Sequence, residues 1–412
     1  MATSAAAVRP PVLRSRPLGA LLAAEVLSTT GSMMTWLALP WFVLVSTGSA
    51  KQMTFVIAAE GGGFALFGIP SGSVLERLGA QRTMRLCDAV RAPLMLLVPL
   101  LHWTGHLTLP ALAAIAFVLG AASTPYMAGQ RLVVAEILDE DETSVERANA
   151  LLQGATRITM LGGPALGGVL IAAVGSPIVL VIDAASYVVA FVLVTVLVPV
   201  TRVVRREHGD EGEGLLAGVH YLSSDSLLRG WATAIVVGDA SFSVLFVAIP
   251  VLVYVNFGAN PRLAGVFLAS WGIGAVTGNV IAYRSDRVGG LRQAAPLVLL
   301  QAVPLWAVAA PVPAAAVAGA LALSGLANGL VNPTLHSVLT LRPPAAVRAK
   351  ALTAMSTASS IGTPIALAIA APAFAVFGSR HVIAAAAAGQ LAAMSYAAFV
   401  TVRHLAREPE PA

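Results

Sequence analysis

The chain has 412 residues, 57% hydrophobic and 11% charged, with a formal net charge of +5. Soluble domains carry about 25% charged residues, so this composition excludes a soluble globular protein and makes lipid part of the solvent. The lone cysteine, Cys87, excludes an intramolecular disulfide. The pI near 9.8 comes from arginines in short polar segments, which points to membrane orientation and not to nucleic acid.

A stretch of roughly 20 apolar residues crosses a bilayer core of about 30 Å. Its backbone must bond internally, so each such stretch is a helix. In chain order, the apolar segments lie near 18–45, 52–75, 84–102, 108–137, 148–174, 176–200, 230–256, 262–283, 292–312, 314–340, 351–377 and 382–402. The expectation is an all-α membrane protein with twelve transmembrane helices. The basic arm 1–17 precedes a long apolar span without a cleavage site, so a retained first span with a cytoplasmic arm is expected.

Arginine and lysine set the orientation. Arg9, Arg14 and Arg16, the groups around Arg77, Arg147, Arg202, Arg284, Arg342 and Lys350, and the tail with Arg403 and Arg407 all fall on one side. The other side has Lys51, Arg262 and Arg380. Both termini are therefore expected in the cytoplasm. The long polar run TRVVRREHGDEGEG (201–214), followed by an amphipathic stretch, reads as a central cytoplasmic linker over 201–229. It separates six-helix bundles at 18–200 and 230–402, with a cytoplasmic tail at 403–412.

The second bundle repeats the first at an offset of 210 residues. Pro40 and Gly48 meet Pro250 and Gly258, and Arg77 and Gly79 meet Arg287 and Gly289. An even number of spans separates the copies, so the two bundles are parallel. Such repeats form a transporter architecture with the substrate site between the halves.

The segment GSVLERLGAQR (72–82) resembles the signature loop of the major facilitator superfamily. Gly72, Arg77 and Gly79 match it, Glu76 replaces an aspartate, and Ala80 and Gln81 replace a basic pair. The second copy keeps Asp286, Arg287 and Gly289. GGPALGG (162–168), with Gly162, Gly163, Pro164, Gly167 and Gly168, resembles the helix 5 motif of drug antiporters in that superfamily. The run from Gly120 to Gly168 is similar to the branch holding macrolide efflux pumps and the enterobactin exporter. One departure is Ala116, where many proton-coupled antiporters carry an arginine.

Gly costs about 1 kcal/mol in a helix interior in water, but in lipid small residues permit close helix approach. The glycine block is therefore expected to form a flat face for packing or sliding, bent at Pro164.

Ionisable groups inside a membrane are expensive and suggest function. Glu25, Thr29, Ser32 and Trp36 form one helical stripe, expected to face a water-filled cavity. Glu25 is expected to carry a proton or a cation, the alternative being a static acid bonded to a neighbouring helix. Asp239 aligns with Thr29 through the repeat and is expected to line the same cavity. Glu60 is a third proton-coupling candidate, placed near the outer interface. Asp88 and Arg91 read as a charge cluster bracing the helix 2–3 loop near Arg77. Asn328, Asn332 and His336 form a second polar stripe, and Arg157 faces an acidic substrate or an internal partner. His102 and His106 have metal-like spacing but no nearby acid, so no metal is expected.

No phosphate-binding GxxxxGK[ST] loop and no nucleophile–base set occur. The expected function is proton-driven export of amphipathic small molecules by alternating access. Alternatives are export of a siderophore or metabolite, an uptake symporter of the same fold and, more remotely, a membrane enzyme or a non-transporting sensor. No cofactor is expected. The expected partners are a small-molecule substrate, protons and the lipid bilayer, with the chain a monomer in a bacterial cytoplasmic membrane.

Overall fold

The computed structural model describes residues 16–67, 70–138, 142–198, 219–284 and 291–406. The expectations on most of the N-terminal arm, on the polar part of the linker, on Asp286 and Arg287, and on most of the tail lie outside the described residues. So do those on Gly72 and on the side chains of Glu76, Arg157 and His336.

The described secondary structure is entirely helical. Helices α1 (Arg16–Thr47), α2 (Ala50–Leu66), α3 (Pro70–Leu78), α4 (Ala80–Trp103), α5 (Leu109–Ile137), α6 (Glu142–Val174) and α7 (Ser176–Leu197) make the first set. The second set comprises α8 (Ser226–Asn256), α9 (Pro261–Arg284), α10 (Leu291–Ala302), α11 (Trp306–Ala309), α12 (Ala314–Leu341) and α13 (Ala345–Leu405). Among the described residues, six helical segments are long and apolar enough to cross a membrane.

Helix ends follow local chemistry. Ser49 accepts from the Gln52 N–H at the start of α2, and Asp225 Oδ1 accepts from the Leu227 and Leu228 N–H groups at the start of α8. Gly378 interrupts α13 at φ 76°, a left-handed value that suits glycine. That break falls between the two apolar segments read from the sequence. Two segments depart from expectation. The segment 52–75 is divided between α2 and α3, and the signature stretch read as a loop is helical from Pro70 to Leu78, with Gly79 turning the chain at φ 79°. The segment 292–312 passes through a 3-10 turn at Val303–Leu305, where Pro304 lacks the N–H a continuous α-helix needs.

The repeat is visible in the backbone. Pro40 and Pro250 lie inside α1 and α8, and Gly48 and Gly258 follow those helices at φ 64° and 63°.

The first set packs α1 on α6 and α7, and α2 on α5; the second packs α8 on α13, and α9 on α12. The sets meet where α6 contacts α9 and where α2 contacts α13. Their cores are shared at one end only. Leu37, Phe42 and Val98 join Leu245, Phe267 and Leu305 in one apolar cluster at the end of the molecule remote from the start of α1. At the opposite end, Leu18, Met84 and Val194 form a cluster within the first set. Leu227, Trp231 and Ala397 form a separate one within the second. The sets are thus sealed together at the far end and keep separate cores where α1 begins.

The near end of the second set carries an ionic junction. Arg342 Nε donates to Asp225 Oδ2 at 2.7 Å, and Arg342 Nη1 lies 3.2 Å from His404 Nε2. Burial alone would push the Asp225 carboxyl up. The Arg342 hydrogen bond, the two backbone N–H bonds and the Arg342 charge outweigh it and hold the group below its ordinary value.

Candidate functional site

A chamber of two adjoining lobes lies between the helix sets. The first, of about 410 Å³, is lined chiefly by α1, α2, α4, α5, α6 and α7. The second, of about 930 Å³, opens toward α8, α9, α12 and α13. Trp36, Glu60, Met160 and Phe246 line both lobes.

The α1 stripe faces the first lobe as the sequence suggests. Glu25, Thr29, Ser32 and Trp36 all line it. Glu25 is 7% exposed, and Thr29 Oγ1 donates to its Oε1 at 2.8 Å. The stripe forms because positions four, seven and eleven residues on return to one helix face.

Glu60 sits elsewhere than expected. It lies not at an outer interface but on the wall shared by both lobes. Close packing fixes its height, because a Cβ on Gly120 of α5 would overlap the Glu60 carbonyl.

Asp88 and Arg91 also differ from expectation. They lie about 12 and 17 Å along α4 from its start, at 1.5 Å per residue, and are buried, whereas Arg77 is exposed near the end of α3. Arg91 lines the first lobe. Its Nη1 is 3.6 Å from Asp88 Oδ1, and its Nη2 donates to Ser32 Oγ at 3.5 Å. The guanidinium stands over two aromatic rings, 4.1 Å from the Tyr187 centroid and 5.0 Å from that of Tyr126. Asp183 sits behind this group, its Oδ2 accepting from Thr35 at 2.6 Å. A buried cation thus links α1, α4, α5 and α7.

Asp239 is a second correction. It shares the α8 stripe of Phe242, Ser243 and Phe246, yet it is exposed and lines neither lobe. It lies one turn nearer the start of α8, beyond the lining. Asn328 and Asn332 do line the second lobe, with Asn332 Nδ2 donating to Asn328 Oδ1 at 3.0 Å.

The glycine block splits its contacts. A Cβ on Gly163 would overlap the Met33 side chain, and one on Gly167 would lie 3.1 Å from the Met34 carbonyl; both positions face α1. A Cβ on Gly168 would lie 2.7 Å from the Pro261 carbonyl of α9, in the other set. Pro164 lines the second lobe. Gly162 has nothing within 4 Å of its Cβ position.

The sequence reading missed the aromatic wall. Phe242, Phe246 and Trp271 cluster at 4.7–5.5 Å between centroids, and Trp36 reaches Phe246 at 5.4 Å from the other set. Asn279 is a further lining residue that was missed. The signal lay in the i, i+4 spacings of Phe242 with Phe246, and of Trp271 with Ala275 and Asn279. Scattered aromatics in an apolar chain conceal such a face. Among the described residues, no group of His, Cys, Asp and Glu has the geometry of a metal site.

Comparison with known proteins places this geometry. Residues 21–367 match the family model described as Major Facilitator Superfamily. Multidrug efflux pump Tap of Mycobacterium tuberculosis (strain CDC 1551 / Oshkosh) is 23% identical over 373 residues, covering 86% of this chain and 86% of the pump. Among solved structures, nucleoside transporter NupG is 12% identical with a TM-score of 0.73, covering 94% of this chain and 99% of its own. A bacterial homologue of the human lysosomal transporter Spinster, in an inward-facing and occupied conformation, is 13% identical with a TM-score of 0.74, covering 98% and 100%.

Proposed function

The chain belongs to the Major Facilitator Superfamily and is a membrane transporter, not an enzyme; on that premise we propose that it exports amphipathic small molecules in exchange for protons by alternating access. In this reading twelve spans form two parallel six-helix bundles, 18–200 and 230–402, joined by the linker 201–229. Both termini face the cytoplasm of a bacterial cell, and the chain works as a monomer. The end where α1 begins is then the cytoplasmic end, and a protein sealed at the far end is open inward.

The observation that carries the proposal is the chamber itself. It lies between the two helix sets and brings the buried Glu25 and Arg91 and the half-buried Glu60 against an aromatic wall. A charged group beside apolar rings suits an amphipathic cargo, and an intramembrane carboxylate suits a proton. Export, and not uptake, is supported by the relative described as a multidrug efflux pump and by the resemblance of the 162–168 block. The α6–α9 contact at Gly168 and Gly265 is the surface that opens when the far end parts.

Inverted membrane vesicles test the proposal. Their lumen corresponds to the cell exterior, so export fills the lumen while protons leave it. An acidic lumen should drive accumulation of the fluorescent cation ethidium, and nigericin should abolish it. Accumulation driven instead by an alkaline lumen would indicate symport.

A further inference from the structure

The two walls of the chamber have different chemistry. Among the described residues, the carboxylates and the guanidinium that line the chamber, Glu25, Glu60 and Arg91, all come from the first helix set. The second set contributes neutral polar groups, with Asn279 on α9, Asn328 and Asn332 on α12, Ser243 on α8 and Thr363 on α13. These amides share the lobe with Phe242, Phe246 and Trp271. The Asn332–Asn328 hydrogen bond uses one donor and one acceptor of the pair, and each amide carries two donors and an acceptor oxygen. The remaining groups are therefore available for a ligand. The Trp271 indole N–H is covered by its neighbours and has no hydrogen-bond partner.

We propose that this wall is a subsite for the neutral, oxygen-rich part of the cargo: a ring system bearing hydroxyl and carbonyl groups, stacked on Phe242, Phe246 and Trp271 and hydrogen-bonded by Asn279, Asn328 and Asn332. The proposal rests on the transporter reading above and names the cargo class. Ring faces pack on aromatic side chains, and edge oxygens need partners when they leave water. A neutral amide supplies donor and acceptor together, whereas a carboxylate only accepts. Glu60, on the shared wall, is placed for a basic amine at the other end of the same molecule. The cargo is then a bifunctional amphiphile, an amine joined to a polyoxygenated ring system, lying across both helix sets.

Two probes separate this subsite from a plain cation pocket. Doxorubicin carries an amine and a hydroxyl- and carbonyl-rich fused ring system. Tetraphenylphosphonium is a cation of aromatic rings with no hydrogen-bonding group. Binding of each is measured on the purified full-length protein. The wild type binds both. Asn328→Leu and Asn279→Leu, on different helices, each weaken doxorubicin about tenfold, the worth of a hydrogen bond or two. Neither weakens tetraphenylphosphonium, whose retention shows that the variants are folded. Glu60→Gln weakens both probes. Equal loss of both probes in the asparagine variants, or no loss of doxorubicin in either, overturns the proposal. A wild type that binds tetraphenylphosphonium and not doxorubicin overturns it too, while leaving the transporter reading intact. A wild type that transports neither probe in vesicles counts against that reading instead.

Discussion

The Arg91 guanidinium carbon lies 4.1 Å from the centre of the Tyr187 ring. The same tyrosine's hydroxyl is 3.0 Å from Ser32 Oγ on α1. A desolvated cation over an aromatic face is worth about 2 kcal/mol, or roughly 30-fold in an equilibrium constant. Arg91→Lys keeps the charge but loses the planar group that stacks. Transport should fall at least about tenfold, and Tyr187→Leu should do the same. Tyr187→Phe keeps the ring and should retain most activity. Initial rates of ethidium efflux at equal expression test this. Normal rates in Arg91→Lys would show that charge alone matters.

Gly163 and Gly168 should behave differently although they share one glycine block. A side chain at Gly163 meets Met33 within the same helix set. Gly163→Ala should therefore lower thermal stability, by about 1–3 kcal/mol for overpacking, without changing which end is open. A side chain at Gly168 meets the Pro261 carbonyl of the opposite set. Gly168→Ala should wedge the far end and favour its opening. Labelling of a cysteine introduced at Leu268, beneath that seal, by an impermeant maleimide applied to intact cells reports the change, in a Cys87→Ser background. Faster labelling is expected for Gly168→Ala alone.

Gln81 replaces a basic residue of the resembled motif and closes a helix end in its place. Its Nε2 donates to the Val194 carbonyl at 3.0 Å and to the Val198 carbonyl at 2.6 Å, where α7 ends. Those carbonyls have no helical partner of their own. Gln81→Leu should cost about 1–3 kcal/mol for the buried groups left unpaired. Gln81→Glu should cost more, since a carboxylate would face carbonyl oxygens at the negative end of a helix. Thermal unfolding in detergent measures both.

The Asp225–Arg342 junction gives a pH prediction of definite sign. The Asp225 carboxyl is held below its ordinary value in the folded protein. Its stabilising contribution is therefore complete above the unfolded value, about 3.9, and is lost as pH falls through the lowered folded value. The melting-temperature gap between wild type and Asp225→Asn should be the same at pH 7 and pH 5 and should shrink below about pH 4. A gap that changes between pH 7 and 5 would show that Asp225 is not the group whose titration sets the junction's stability.

Much of the fold was legible because lipid leaves few choices. Apolar length located most of the helical segments, six of them among the described residues long and apolar enough to cross a membrane, and the offset of 210 residues found Pro40 with Pro250 and Gly48 with Gly258. The breaks at Gly79 and Pro304 went unread because hydropathy does not see backbone conformation. At the site, the α1 stripe was readable since helical periodicity puts Glu25, Thr29, Ser32 and Trp36 on one face. Glu60, Asp88 and Arg91 were misplaced because a sequence gives depth along a helix poorly and contacts between helices not at all. Asp239 shows the limit of repeat alignment: an equivalent position on an equivalent helix lies outside the lining when the two walls differ in shape. The aromatic wall needed three helices to assemble, and no single segment announces it.

The central claim is that a proton carried by Glu25 drives export through the chamber, and one comparison addresses it most directly. Glu25→Gln resembles the protonated acid and cannot release a proton. In proteoliposomes, ethidium counterflow (exchange with no gradient) and uphill, pH-driven accumulation are measured on the same preparation. The account predicts that Glu25→Gln retains counterflow and loses uphill accumulation by about tenfold or more. Asp239→Asn, outside the chamber lining, should keep both. Wild-type uphill accumulation by Glu25→Gln would contradict the account and move the coupling role to Glu60.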